Sequence, residues 1–298
     1  MVNRYTGITR RYFIGGAFTC CLAGNVAAAA SSAKRVVSLD LLPTELLLTL
    51  GIRPLAVGNS QLYRRLVVEP ELSPDILDLG PLTEPNAELL QSLRPDAILA
   101  AKWQAGALEP LKRIAPLIPL ASITRDLPGV ALALQLMEQI ATLTGTQEAA
   151  LHWAARLKLE LQTAAEQLTM RVRRPVYVCR FAEDGRNVAF FGGYGLIGDV
   201  LGRIGLENAW KGRVNTSGVT SAGIDRLAEN TDARIIHFDR GRETRIAMER
   251  LQGTSLWKAL PAVRAGRVTT MPVVYPNGGV YSAIRLAQQL AKAIPHDG

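Results

Sequence analysis

The chain has 298 residues, 48% of them apolar and 20% charged, with a formal net charge of +8. These proportions describe a globular protein and exclude disorder, a collagen-like repeat and a disulfide scaffold. The length allows roughly two units of about 130–150 residues, and no run of about 18 apolar residues reads as a transmembrane helix.

Residues 1–33 follow their own rules. Thr9-Arg10-Arg11-Tyr12-Phe13-Ile14 sets paired arginines before a mildly apolar stretch, Ile14 to Gly24. Val26-Ala27-Ala28, Ala28-Ala29-Ala30 and Ser31-Ser32-Ala33 then offer the small-residue pattern that a signal peptidase accepts. This is the pattern of a secretory signal of the twin-arginine type, which places the remaining chain in the periplasm. The competing readings are a helical N-terminal arm and a lipid anchor at Cys20 or Cys21, where Ala17-Phe18-Thr19 makes a poor lipobox. The segment carries Arg4, Arg10 and Arg11 and no acid, so the rest of the chain has a net charge of +5. No block of like charge argues for nucleic acid. Beyond the segment only Cys179 remains, so no internal disulfide can form, and Val176-Tyr177-Val178-Cys179 reads as a buried strand.

From residue 35 short apolar runs alternate with helical patterns. Arg35–Leu39 reads as a strand, and Pro43 to Leu50 as a helix with Pro in its first turn and Gly51 at its end. Pro54 to Asn59 is a second strand, followed by a long loop with Arg64, Arg65 and several prolines. Asn86 to Leu93 is a short helix, Pro95 to Ala100 a third strand and Pro119 to Ser122 a fourth. This alternation predicts a parallel sheet covered by helices on both faces. Pro128 to Arg174 is helical almost throughout, and Thr146 to Arg171 runs without Pro or Gly, long enough to be a strut between two lobes. Val176–Phe181 and Val188–Phe191 form a hairpin around Glu183-Asp184-Gly185. Helices at Leu196–Ile204 and Ile224–Glu229, strands at Arg234–Phe238 and Val268–Val273, and a helix at Tyr281–Ala293 complete the chain. An acid-led short helix passes into a strand through an Asp-Ala step in each half, at Asn86–Leu99 and again at Ile224–Ile236. The architecture is therefore α/β, with two Rossmann-like lobes joined by a single long helix. The divisions are 1–33 (signal), 34–145 (first lobe), 146–172 (linking helix) and 173–298 (second lobe).

No catalytic constellation is present. His152, His237 and His296 are not spaced for a metal, and His237 reads as a core histidine. The Gly193-x-Gly195-x-x-Gly198 run follows a strand and opens a helix, but the region about 20 residues on holds Lys211 to Thr216 and no acid for a ribose. It reads as a tight strand-to-helix loop.

Several runs resemble the periplasmic binding proteins for iron–siderophore complexes, in particular the ferric-hydroxamate type. They are Arg35–Asp40, Pro43–Leu48 with Leu50-Gly51-Ile52, Thr83-Glu84-Pro85-Asn86, Asn208-Ala209-Trp210, Ile224–Leu227 and Trp257–Arg267. The resemblance implies the class III architecture, with a helical backbone between lobes and a shallow cleft. It also implies delivery of a ferric siderophore to an inner-membrane ABC permease. A monomer is expected, with no nucleic-acid partner and no cofactor or protein-bound metal, iron arriving only inside the chelate. Two family positions differ: Leu82 stands where hydroxamate binders have an arginine, and Gln104, beside Trp103, where they have a tyrosine. Trp210 matches an aromatic position, while Leu66, Ser217, Tyr275 and Asn277 occupy others. Arg64, Arg65, Lys102, Arg180, Lys211 and Arg213 fall on loops expected near the cleft. The expected cleft is thus more cationic and less aromatic, suiting an anionic ferric complex. Glu88 and Asp225 match the family's permease-docking acids, one per lobe, and are also acids favoured at helix starts. A different chelate, such as a corrinoid or haem, and an exported α/β enzyme are the alternatives.

Overall fold

The computed structural model describes residues 33–169 and 174–294. Residues 1–32, where a signal is expected, residues 170–173, where the linking helix is expected to end, and residues 295–298, with His296, lie outside the described residues.

The first lobe is built from β1 (Val36–Ser38), α1 (Leu41–Thr49), β2 (Ala56–Val57), α2 (Ser60–Leu66), β3 (Leu77–Asp78), α3 (Ala87–Leu93), β4 (Ala97–Ala101), α4 (Ala105–Leu108) and β5 (Leu117–Leu120). Its sheet runs β3-β2-β1-β4-β5 and every pairing is parallel. Two helices follow, α5 (Gly129–Thr144) and α6 (Gln147–Thr169), separated by Gly145 at φ +73°. The second lobe holds β6 (Val176–Phe181), β7 (Asn187–Phe191), α7 (Leu196–Arg203), β8 (Val219–Gly223), β9 (Arg234–Asp239), α8 (Arg242–Gln252), α9 (Ser255–Ala259), α10 (Pro261–Arg264), β10 (Val268–Pro272) and α11 (Val280–Ala293). Here the order is β10-β9-β6-β7-β8, parallel from β10 to β6 and antiparallel through β7 and β8.

Several elements differ from the sequence reading, which has no counterpart for β3, α4, α9 and α10. The stretch holding Arg64 and Arg65 is helix α2, because the Asn59 side chain caps it by accepting from the Leu62 amide at 3.1 Å. β8 has no apolar alternation of its own and exists through its pairing along the whole of β7. α8 lies in a charge-rich run, yet Thr244, Ala247 and Leu251 give it one buried face at helical spacing. Arg180, expected on a loop, lies within β6.

The largest core is not confined to either lobe. It runs from Val36 and Leu99 in the first sheet, through Ile140 of α5 and Leu157 and Leu161 of α6, to Val178, Ile236 and Leu290 in the second lobe. α6 carries the chain between lobes, but it does so inside a helical layer shared with α5 and α11. At roughly 1.5–3 kcal/mol for each fully buried large aliphatic side chain, this layer joins the lobes firmly. The start of α5 is pinned to the second lobe: the Gly129 and Val130 amides donate to the Tyr194 carbonyl and to Asp199 Oδ2, both at 2.8 Å. Only glycine fits there, since a Cβ on Gly129 would stand 2.4 Å from the Leu196 backbone.

A second link is polar. Glu45 of α1 is fully buried and accepts from the Gly279 and Ser282 amides at 3.0 and 2.9 Å and from the Ser282 hydroxyl at 2.8 Å. It thereby caps α11 from the opposite lobe. About one turn further along α11, Arg285 donates to the Val67 carbonyl at 2.7 Å and pairs with Glu69, which also accepts from the Tyr281 hydroxyl at 3.3 Å.

Candidate functional site

In parallel α/β sheets the loops at the carboxyl ends of the strands form the natural crevice. Here the corresponding loops of both lobes face one another. Asp40 follows β1, Trp103 follows β4, Ser122 and Ile123 follow β5, Arg240 follows β9, and Tyr275 to Asn277 follow β10. Together they line a cleft of three adjoining hollows that all touch Asn277. The one nearest the first lobe, about 270 Å³, has Asp40, Leu42, Leu66, Trp103, Ile123 and Tyr275 on its walls. A second, about 210 Å³, reaches into the other lobe between Leu66, Arg180, Phe191, Phe238, Arg240 and Tyr275. The third is a narrow slot bounded by Thr124, Tyr194, Thr216 and Ser217. At its rim Arg125 Nε donates across the cleft to Thr216 Oγ1 at 3.2 Å.

The floor is apolar, with a few polar groups set into it, the usual make-up of a small-molecule site. Asp40 caps α1 by accepting from the Leu42 amide at 3.1 Å, and burial pushes its carboxyl up to about 6. Burial also raises the Tyr275 phenol, with the Asp40 charge adding to the effect, while the Asn277 side chain hydrogen-bonds to it. Trp103 is 58% exposed, an unusual state for so large an apolar side chain, and leaves its ring face open to the cleft.

The sequence-derived site residues divide into two groups. Trp103, Arg180, Ser217, Tyr275 and Asn277 reach the cleft wall. Arg65 lines none of the three hollows and pairs at 3.4 Å with Glu243, which also pairs with Arg240 on the cleft wall. The others are placed elsewhere. Gln104 is 1% exposed: its amide oxygen accepts from the Ala101 amide at 2.7 Å, and its nitrogen donates to the Leu39 and Leu82 carbonyls at 2.8 and 2.7 Å. It braces the ends of β1 and β4 against the Thr-Glu-Pro loop, and the tyrosine position of the hydroxamate pattern is thus a scaffold position here. Trp210 is 8% exposed, stacked on Phe190 at 4.2 Å with the Arg226 guanidinium 5.1 Å from its ring centre. It belongs to the core of the second lobe. Arg64 donates to Ser60 Oγ and the Ser73 carbonyl within its own lobe. Lys102 and Arg213 are exposed and line none of the three hollows, and Lys211 pairs with Glu207 at 2.8 Å on the surface.

Asp40, Ile123, Arg240 and Glu243 were not singled out by the sequence. The signal available was position: Asp40 and Arg240 follow closely on buried parallel strands. Glu88 and Asp225 are both exposed, each in the first turn of a short helix, one on each lobe. The remaining candidates are structural. His237 is 2% exposed, with Nε2 3.0 Å from the Thr270 hydroxyl, and burial lowers its pKa. Cys179 is fully buried, which pushes its thiol well up. A Cβ on Gly198 would stand 2.3 Å from the Gly193 carbonyl, so the glycine run serves a tight turn. Among the described residues no group of His, Cys, Asp and Glu is placed to hold a metal, and no helix is long and apolar enough to cross a membrane.

Residues 36–275 match the model of the periplasmic binding protein family. The chain belongs to that family. Within it, the iron(3+)-hydroxamate-binding protein FhuD of Escherichia coli K12 is 36% identical over 270 residues, spanning 90% of this chain and 89% of that protein. The crystal structure of the siderophore-binding protein FhuD of Vibrio cholerae bound to Fe3+-Desferal superposes with a TM-score of 0.81 at 27% identity, covering 88% of this chain and 98% of the other. The triscatecholate siderophore-binding protein FeuA of Bacillus subtilis, complexed with ferri-bacillibactin, shares the family fold at a TM-score of 0.69 and 18% identity, over 89% and 93% of the two chains. The two lobes and their helical layer are therefore the family architecture.

Proposed function

We propose that this protein captures a ferric siderophore in the inter-lobe cleft and delivers it to an ABC importer for iron uptake. The observation that carries the reading is the cleft itself, an apolar-floored crevice at the carboxyl ends of both sheets. Likeness to the hydroxamate-binding relatives over nearly their whole length supports it. Trp103, Tyr275 and the aliphatic floor pack on the chelate's apolar surface, while Arg180 and Asn277 reach its oxygens. Iron is held by the siderophore and arrives as cargo. The shared core and the Glu45 cap leave the lobes little freedom, so the site is largely preformed and little ordering entropy is lost on binding. The reading has the protein act by capture, without chemistry on the ligand.

Export through a twin-arginine signal, residence in the periplasm as a monomer, and docking through Glu88 and Asp225 complete the proposal. The test is Trp fluorescence of the purified mature protein, titrated with ferric trihydroxamate, citrate-type, carboxylate and catecholate complexes and their iron-free forms. Saturable quenching by a ferric complex, absent with the iron-free form, is expected. Silence across the panel, with a response to a corrinoid or haem, would overturn it.

A further inference from the structure

One end of the cleft collects more positive charge than it neutralises. Arg65 arrives from the first lobe on α2, Arg180 from β6 and Arg240 from the end of β9. Glu243, in the first turn of α8, pairs with two of them: Oε1 lies 3.4 Å from Arg65 Nη1 and Oε2 lies 2.9 Å from Arg240 Nη1. A single carboxylate thus spans two guanidinium groups from opposite lobes. Its position in the first turn also suits the helix dipole, which accounts for its local stability without giving the arginines a purpose.

The arginines are what needs explaining. The Arg240 side chain is only 11% exposed, and its Nε is buried with no hydrogen-bond partner among the described residues. Burial holds its pKa below the ordinary arginine value, and the nearby Arg180 and Arg65 charges push the same way. Arg180, on the wall of the same hollow, pairs with no acid among the described residues. Glu183 adds a more distant negative charge. Three guanidinium groups therefore share one close carboxylate, against a floor of Leu66, Phe191, Phe238 and Val274. The buried charge of Arg240 is unfavourable unless an anion meets it, and planar guanidinium groups favour carboxylates in paired hydrogen bonds.

We infer that Arg65, Arg180 and Arg240 form a carboxylate subsite for the ligand, with Glu243 as its resident stand-in. The inference rests on the reading of the cleft as a ferric-siderophore site and names the class of siderophore. The ligand is a ferric complex with free carboxylates at its periphery, as in citrate-type chelates, and an apolar side that covers the floor. On binding, a ligand carboxylate takes the place of Glu243 between the arginines of the two lobes. Glu243 competes with the ligand and sets its specificity: a neutral complex has nothing to offer in exchange.

The experiment compares a ferric citrate complex with a neutral ferric trihydroxamate by fluorescence titration of the purified mature protein at low and high salt. Wild type and the variants R180Q, R240Q and E243Q are compared, with thermal unfolding confirming that each folds. The ferric citrate complex is expected to bind more tightly and to weaken with salt. R180Q and R240Q should weaken it by roughly 10- to 100-fold while changing the trihydroxamate by less than about threefold. E243Q should tighten it several-fold, a gain that no folding defect imitates. Binding of the neutral complex alone, or ferric citrate affinity unmoved in both R180Q and E243Q, would overturn the subsite and leave siderophore capture standing. No binding of any ferric complex would overturn both.

Discussion

Glu45 and Ser282 are 237 residues apart and meet in a buried cap, the carboxylate of one lobe accepting from both the amide (2.9 Å) and the hydroxyl (2.8 Å) of a residue in the other. Glu45→Ala leaves those two donors and the Gly279 amide unpaired in a dry site. The expected loss is about 2–4 kcal/mol, read as a drop of roughly 5–15 °C in Tm. Glu45→Gln keeps the shape and should cost far less. Burial raises the Glu45 carboxyl above its ordinary value of 4.5. The fold thus binds that proton more readily than the unfolded chain. Its contribution to stability is complete below the ordinary value and falls as pH rises through the folded-state value. The slope of Tm against pH above 4.5 should be flatter in Glu45→Gln than in wild type. Equal slopes would remove Glu45 as the source.

Asp40 brings a titration into the cleft. Its carboxyl is pushed up to about 6 from an ordinary 3.8 by burial. Its contribution to stability is therefore complete below 3.8 and lost as pH rises through about 6. The same ionisation adds a negative charge beside the ligand. Anionic ferric complexes should bind more weakly at pH 7 than at pH 5.5, by about three- to tenfold. Asp40→Asn keeps the cap on α1 and should remove the difference, measured with the same complex at both pH values.

The fluorescence response should belong to one indole. Of the four tryptophans, Trp103 faces the cleft at 58% exposure, Trp210 and Trp257 are buried in the second lobe at 8% and 6%, and Trp153 packs on Tyr281 away from all three hollows. Trp103→Phe should abolish most of the ligand-induced quenching with little loss of affinity, and Trp103→Ala should weaken binding by about tenfold. Trp210→Phe should leave the quenching amplitude intact. Its retention in Trp103→Phe would move the ligand to another part of the cleft.

Replacing Glu88 and Asp225 together with Ala should halt uptake by whole cells and leave the purified protein's affinity for its ligand unchanged. Both carboxylates are exposed and line none of the three cleft hollows. A fall in affinity would contradict a role in docking.

The fold was largely legible because its signals are local. Val36–Ser38, Ala97–Ala101 and Arg234–Asp239 are apolar runs set among helices, and the central parallel strands of each sheet follow from that alternation. What escaped is decided by partners distant in sequence. β8 is a strand only because β7 lies beside it, and α8 shows its apolar face only once Leu251 is buried. The site was read in part for the same reason. Tyr275, Asn277 and Trp103 come from the resemblance to hydroxamate binders, and the structure places all three on the cleft wall. Gln104 resembles a ligand group in an alignment, but its amide is spent on Leu39, Ala101 and Leu82, which only the packed loops bring together. Arg65 and Arg240 are 175 positions apart, and nothing in the sequence says that one acid, Glu243, joins them.

The place of α11 has a consequence for how the chain comes to be finished. Its residues fill the core beneath both sheets, and its first turn completes a buried polar site that begins at Glu45 in the first helix. The first lobe therefore does not become independent when its own last strand has been made. Until α11 is in place, Glu45 lacks the amides it accepts from and the part of the core that α11 shares with α5 and α6 is incomplete. The two halves look like separate building blocks, but removing α11 would open the first lobe as well as the second.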